Sequence, residues 1–285
     1  MIEFTLNHQQ HMKTKRIFIS SILAISTIMM ATVLMGCGPN KPETEENTEE
    51  QDSLWAATAE VTMPEDMAES QLTFTINGIP FTMIRVEGDS VETFYMGETE
   101  VTQELWKAVM GKVDFETNPP EFEGVPQRDY IGRQRPMCFV NWYACHQFTN
   151  RLNRATGCTF RLPTETEWEF AAKGGNQSKG YLYSGSNDID EAAWYDGNTG
   201  GKGSRDVKTK APNELGLYDM SGNVSEWVSD EWDDADYTDT PVIWRTVRGG
   251  SWFDQEEGCR VSSREGEDEE ASFDTIGFRL ALEVR

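Results

Sequence analysis

The twelve residues Gly216-Leu-Tyr-Asp-Met-Ser-Gly-Asn-Val-Ser-Glu-Trp227 constrain this chain more than any other stretch. They follow neither the helical nor the strand period. Gly216 and Gly222 alternate instead with Tyr218 and Trp227 and with the carboxylates Asp219 and Glu226, the composition of a tight, cross-braced loop. The backbone polar groups of such a loop need partners. A hard cation can supply them, because carboxylates at both ends and free carbonyls between them make an all-oxygen ligand set. A glycine-rich turn with Tyr218 and Trp227 plugged into the core fits the same residues equally well, and spacing alone does not choose.

Three further runs stand in order around that loop: RLPTETEWEFAAKGG before it, and RGGSW and GFRLAL after it. Together the four motifs resemble the formylglycine-generating enzyme, or sulfatase-modifying factor, family over roughly Leu72 to the C-terminus. The resemblance implies an α+β fold of the formylglycine-generating-enzyme-like, C-type-lectin type with little regular secondary structure. It also implies a calcium held by the loop, with the side chains of Asp219 and Glu226 and the carbonyls of Gly222 and Val224 as its ligands.

The N-terminal part sets where such a domain works. Met12-Lys-Thr-Lys-Arg16 reads as the true start and the basic region of an export signal, residues 1–36. The apolar run Ile17–Met35 leads into Leu34-Met-Gly-Cys37, which resembles a bacterial lipobox, so lipidation of Cys37 after cleavage is expected. An uncleaved membrane anchor is the alternative, given the length of the run. Residues 37–70 contain few large apolar side chains and many glutamates, the composition of a disordered, self-repelling spacer, which puts the domain proper at 71–285. The expected location is that of an exported lipoprotein of the outer membrane, on its periplasmic or cell-surface face. A net charge of −24 argues against nucleic acid and anionic membrane surfaces as partners.

Within the domain, two alternating runs flank Asn77-Gly78 and predict a hairpin, with Ile84–Val86 and Val91–Tyr95 continuing the sheet. Thr102 caps a predicted helix that Gly111 stops, and Asn141 caps a second that Gly157 stops. Thr164 and Glu167 form a capping box for a third, which Lys173-Gly174-Gly175 closes. Residues 174–210 read as a long surface loop pinned by Trp194 and Tyr195, and Gly277–Glu283 as a final strand.

The chemistry turns on the segment after RGGS. In the enzymes this chain resembles, two cysteines there bind copper(I), which favours soft thiolates. Counted from Ser251, the first of those positions is Asp254 and the second is Cys259. A carboxylate is a hard ligand, so copper is not expected and Cys259 is left as the one candidate for catalysis. His146 is the only histidine after residue 11, which excludes a three-histidine centre within the exported chain. Family position further assigns Trp252, Asp254, Arg260, Arg264, Glu265 and Arg279 to a ligand pocket, with Gly266-Glu-Asp-Glu-Glu270 as an acidic rim. Such a rim suits a basic peptide or a calcium-bridged glycan of the cell envelope, unless it is a solvated loop. Cys138, Cys145, Cys158 and Cys259 either pair in an oxidising compartment or stay buried and free. The expected function is an envelope binding or structural module; the alternative is a metal-dependent oxidoreductase acting on a peptide cysteine through Cys259.

Overall fold

The hairpin predicted at Asn77-Gly78 is the centre of the larger of two sheets. Both turn residues take positive φ (49° and 80°), the combination a two-residue reversal between right-twisted strands demands. Ile76 and Ile79 close it as the last pair of β2 (Gln71–Ile76) and β3 (Ile79–Val86). With β1 (Val61–Thr62), β4 (Phe94–Gly97), β5 (Phe160–Arg161) and β10 (Ala281–Glu283) they form an antiparallel sheet in the order β1-β2-β3-β4-β10-β5. A second sheet runs β8 (Arg264–Asp268), β7 (Trp244–Arg248), β6 (Ser225–Glu231), β9 (Ile276–Gly277), with β6 and β9 parallel. This is a computed structural model, and it describes residue 52 and residues 54–113, 130–233 and 242–284. The expected signal segment 1–36 and the lipidation site Cys37 lie outside the described residues.

Among the described residues three helices of eight or more residues join the sheets, each delimited as its sequence predicts. Thr102 Oγ1 accepts the Leu105 amide at the start of α1 (Gln103–Met110), and Asn141 Oδ1 accepts the Ala144 amide at the start of α2 (Trp142–Thr156). At α3 (Glu165–Ala172) the Thr164 hydroxyl accepts the Glu167 amide while Glu167 Oε2 accepts the Thr164 amide. The apolar stripes then point inward: Leu105, Trp106 and Val109 from α1, Cys145, Phe148 and Leu152 from α2, and Trp168, Ala171 and Ala172 from α3 are all buried. Trp106 stacks on Phe148 at 5.4 Å between ring centres, which locks α1 to α2.

Three expectations need correction. Residues 54–70 are not a featureless spacer: 54–58 are helical, Trp55 packs against the main core cluster, and β1 pairs Val61 with Ile76. One tryptophan and one strand are enough to dock a segment whose overall composition is polar. β4 begins at Phe94, not Val91. The run Gly277–Glu283 is not one strand either, since β9 belongs to the second sheet and β10 to the first. Between them Phe278, Arg279 and Leu280 are buried on both sides, so their alternation reports a crossing between sheets and not a half-exposed strand.

Candidate functional site

The loop 216–227 is held by the protein on every side. Gly222 donates its amide to Gly249 and Asn223 to Trp194, while Trp252 donates to the Asn223 carbonyl. Any β-carbon on Gly222 would lie 2.3 Å from the Trp194 carbonyl oxygen, so only glycine fits there. This is how Trp194 pins the long 174–210 segment. The loop is shorter than its motif suggests, because Ser225 already begins β6. Trp227 is fully buried, whereas Tyr218 is only half-buried.

Beneath the loop lies a group of buried charges. Arg279 donates from Nε and Nη2 to both oxygens of Glu226, at 2.7 and 2.6 Å, and from Nη1 and Nη2 to the carbonyls of Gly97 and Tyr218. Trp168 Nε1 adds a third bond to Glu226, at 2.6 Å. Asp219 Oδ2 accepts the Lys208 amide, and Asp219 itself sits at φ 57°. Sequence reasoning missed one member, Glu100, which is 1% exposed and accepts the Val224 amide and the Asn223 side-chain amide. Nothing in its neighbourhood of Gly97-Glu-Thr-Glu-Val101 distinguishes it from an ordinary surface glutamate. Burial, then the charges of Asp219 and Glu226, push its carboxyl well above the usual range; burial pushes Asp219 up to about 6.

These charges do not balance. Glu100, Asp219 and Glu226 face a single guanidinium, and buried charge without compensation is costly. Among the described residues no three His, Cys, Asp or Glu side chains converge closely enough to hold a metal by themselves. A cation here would need backbone carbonyls as well, which is the ligand set the loop offers. One lone pair of Glu226 Oε1 is left over from Arg279, and only Oδ2 of Asp219 accepts a hydrogen bond among the described residues. The donor set therefore fits a hard cation in charge and in kind.

The segment after RGGS looks different. Asp254 Oδ2 accepts both the amide and the hydroxyl of Ser251, at 2.8 and 2.6 Å, so this carboxylate caps the turn that the RGGS motif begins. Cys259 is fully buried, its Sγ facing the Ser251 carbonyl. Burial, then the charges of Asp254 and Glu265, push its thiol well above the usual value. The space lined by Asp254, Ser263, Arg264 and Glu265 is about 10 Å³, no more than one water occupies.

The six expected pocket residues are not brought together. Trp252 is a core residue whose Nε1 bonds the Asp274 carbonyl, and Arg279 belongs to the buried charges under the loop. Arg264 clasps Glu165 at 2.7 Å and stacks 4.6 Å from the Trp232 ring. Arg260 meets the Tyr183 hydroxyl, and only Asp254 and Glu265 share a space with Arg264. The acidic rim is also weaker than its sequence suggests, because Glu267 and Glu269 turn inward and Glu269 accepts from Arg245 and Tyr143. Cys138, Cys145, Cys158 and Cys259 form no disulfide. His146 packs against Trp142 with its ring tilted 55° to the indole and stands apart from the other sites.

The family follows from the whole chain. Residues 40–284 match the sulfatase-modifying factor enzyme 1-like domain, and the chain belongs to that family. It is 32% identical over 223 residues to the chaperone protein LppX of Paenibacillus barcinonensis, covering 61% of this chain and 74% of LppX. It is 35% identical over 135 residues to the inactive C-alpha-formylglycine-generating enzyme 2 of Bos taurus, covering 42% of this chain and only 43% of the bovine protein. Among solved structures, Treponema denticola variable protein 1 superposes with a TM-score of 0.61 at 30% identity, over 75% of this chain and 99% of that one. The α+β fold class expected from the motifs is thereby established.

Proposed function

We propose that this protein is a binding or structural module of the cell envelope, exported and anchored to the outer membrane by a lipid on Cys37, and not a formylglycine-generating oxidase. One observation carries the reading. The position of the first copper-binding cysteine is Asp254, and its carboxylate is committed to capping Ser251 beside a Cys259 that is fully buried. Copper(I) favours two soft sulfurs, and of the two positions only Cys259 carries one. That a relative bears the name of a chaperone and another is called inactive supports a family scaffold put to uses other than oxidation. The ligand is expected to be a peptide or glycan of the envelope, and a chain of net charge −24 is not built for nucleic acid.

In this reading calcium is structural. Asp219, Glu226 and the carbonyls of Gly222 and Val224 would hold it, and its charge would offset the carboxylates that Arg279 leaves unbalanced. It would fasten the loop to the core and take no part in a reaction.

The test is direct. The full chain in detergent, loaded with copper(I) and supplied with oxygen and a cysteine-containing peptide, should leave that peptide's mass unchanged. Aldehyde product that disappears in Cys259→Ser would overturn the proposal.

A further inference from the structure

A cleft of about 190 Å³ lies away from the Ser251–Glu265 segment, between β3, the residues that follow β4, the start of α1 and the strip at Val207-Lys208. It is far larger than the roughly 10–15 Å³ that one water needs. Met83, Val101, Leu105 and Leu280 make its apolar floor, and all four are buried. Glu98, Glu104 and the buried Glu100 also line it. Lys208 is the only basic side chain in the lining.

Lys208 shows what the cleft accepts. Its Nζ lies 2.7 Å from Glu98 Oε1 and 4.9 Å from the centre of the Tyr218 ring, so an ammonium is held between a carboxylate and an aromatic face. The residue reaches there from a left-handed backbone (φ 63°), with its amide tied to Asp219. Yet the side chain is 42% exposed against 18% for Glu98, so the ammonium is the loosely held partner of a pair whose net worth in solvent is small. Glu104, which also lines the cleft, pairs with Arg133, which is 81% exposed. Both carboxylates are therefore paired with exposed cations of the chain itself. An apolar floor below separated carboxylates suits an organic cation with a hydrocarbon stem.

We propose that this cleft binds a primary aliphatic ammonium, with Glu98 as the principal ion-pair partner, the apolar floor taking the stem, and Lys208 occupying the ammonium position until it is displaced. The same chemistry arrives either as a lysine side chain of a peptide or as a free diamine. This inference does not depend on the envelope function proposed above.

The full chain in detergent should be titrated by calorimetry with 1,5-diaminopentane and with Nα-acetyl-lysine methylamide, using the norleucine analogue as the uncharged control. Saturable binding of either amine, absent for norleucine, is expected. Glu98→Gln should weaken it at least tenfold, whereas Lys208→Met should tighten it severalfold by removing the internal competitor. Tightening in Lys208→Met cannot come from general damage to the fold, so it separates a binding role from a structural one. Preference for the lysine derivative would assign the site to peptides, and preference for the diamine to free amines. No saturable binding to either the unaltered chain or Lys208→Met overturns the proposal, as does equal binding of norleucine.

Discussion

The loop 216–227 and the segment 251–265 each pair a motif with a chemical expectation, and they have fared differently. Under the loop, Asp219 and Glu226 lie beside Arg279, which family position had assigned to the ligand pocket, and Glu100 joins them; every one is buried and tied to its neighbours. In the other segment Asp254 stands where a copper-binding cysteine is expected, and it has become a turn cap. Cys259 remains, but as a core residue. The loop's residues hold two sheets and two loops together, because Arg279 sits in the crossing between β9 and β10 and reaches Glu226 on β6. Removing Arg279 or Glu226 leaves its partner's buried charge unpaired. Changing a copper ligand removes a reaction and leaves the fold intact, so fold and activity separate at these two places.

The largest expected effect tests the first half of that contrast. Arg279→Met should destabilise the domain by about 3–5 kcal/mol, the usual cost of leaving buried carboxylates without their partner. Denaturant unfolding measures it, and a loss below about 1 kcal/mol would mean that the buried ion pair is not what holds the loop. Next comes the cation. With calcium at a hundredfold excess over its dissociation constant, the stability gain should be about 2.7 kcal/mol. Chelator should remove that gain, and Glu226→Ala should abolish it altogether; an unchanged melting curve with and without chelator withdraws calcium from the loop.

The smallest effect concerns the second region and is read by chemistry. The Cys259 thiol is raised by burial and by Asp254 and Glu265, so below pH 9 it stays protonated and should resist alkylation in the native state, while the half-buried Cys158 reacts first. The sign for stability follows. Above pH 9 the unfolded chain ionises this thiol and the folded one does not, so Cys259 contributes a loss of stability as pH rises past 9 and none below it. Peptide-mapping mass spectrometry gives the order of labelling. Rapid labelling of Cys259 at pH 7 would show a reachable thiolate and reopen the oxidase reading.

Much of this was written in local sequence. Thr102, Asn141 and Thr164 start helices because their side-chain oxygens reach amides three residues on, and Asn77-Gly78 turns a hairpin because it tolerates positive φ; such interactions need no distant partner. The four motifs likewise carried the family and the α+β class. What the chain alone did not reveal depends on residues far apart in sequence. Glu100 lies 123 residues from Asn223, whose side chain it binds, and neither position signals the other. Glu226 is claimed by an arginine 53 residues later, inside what its alternation presents as one continuous strand. The docking of Trp55, the division of the six pocket residues among separate environments, and the cleft with Lys208 at its rim were likewise decided only when the chain closed. Short-range hydrogen bonds and turn preferences belong to the sequence; burial, which decides the meaning of each carboxylate and thiol here, belongs to the tertiary structure.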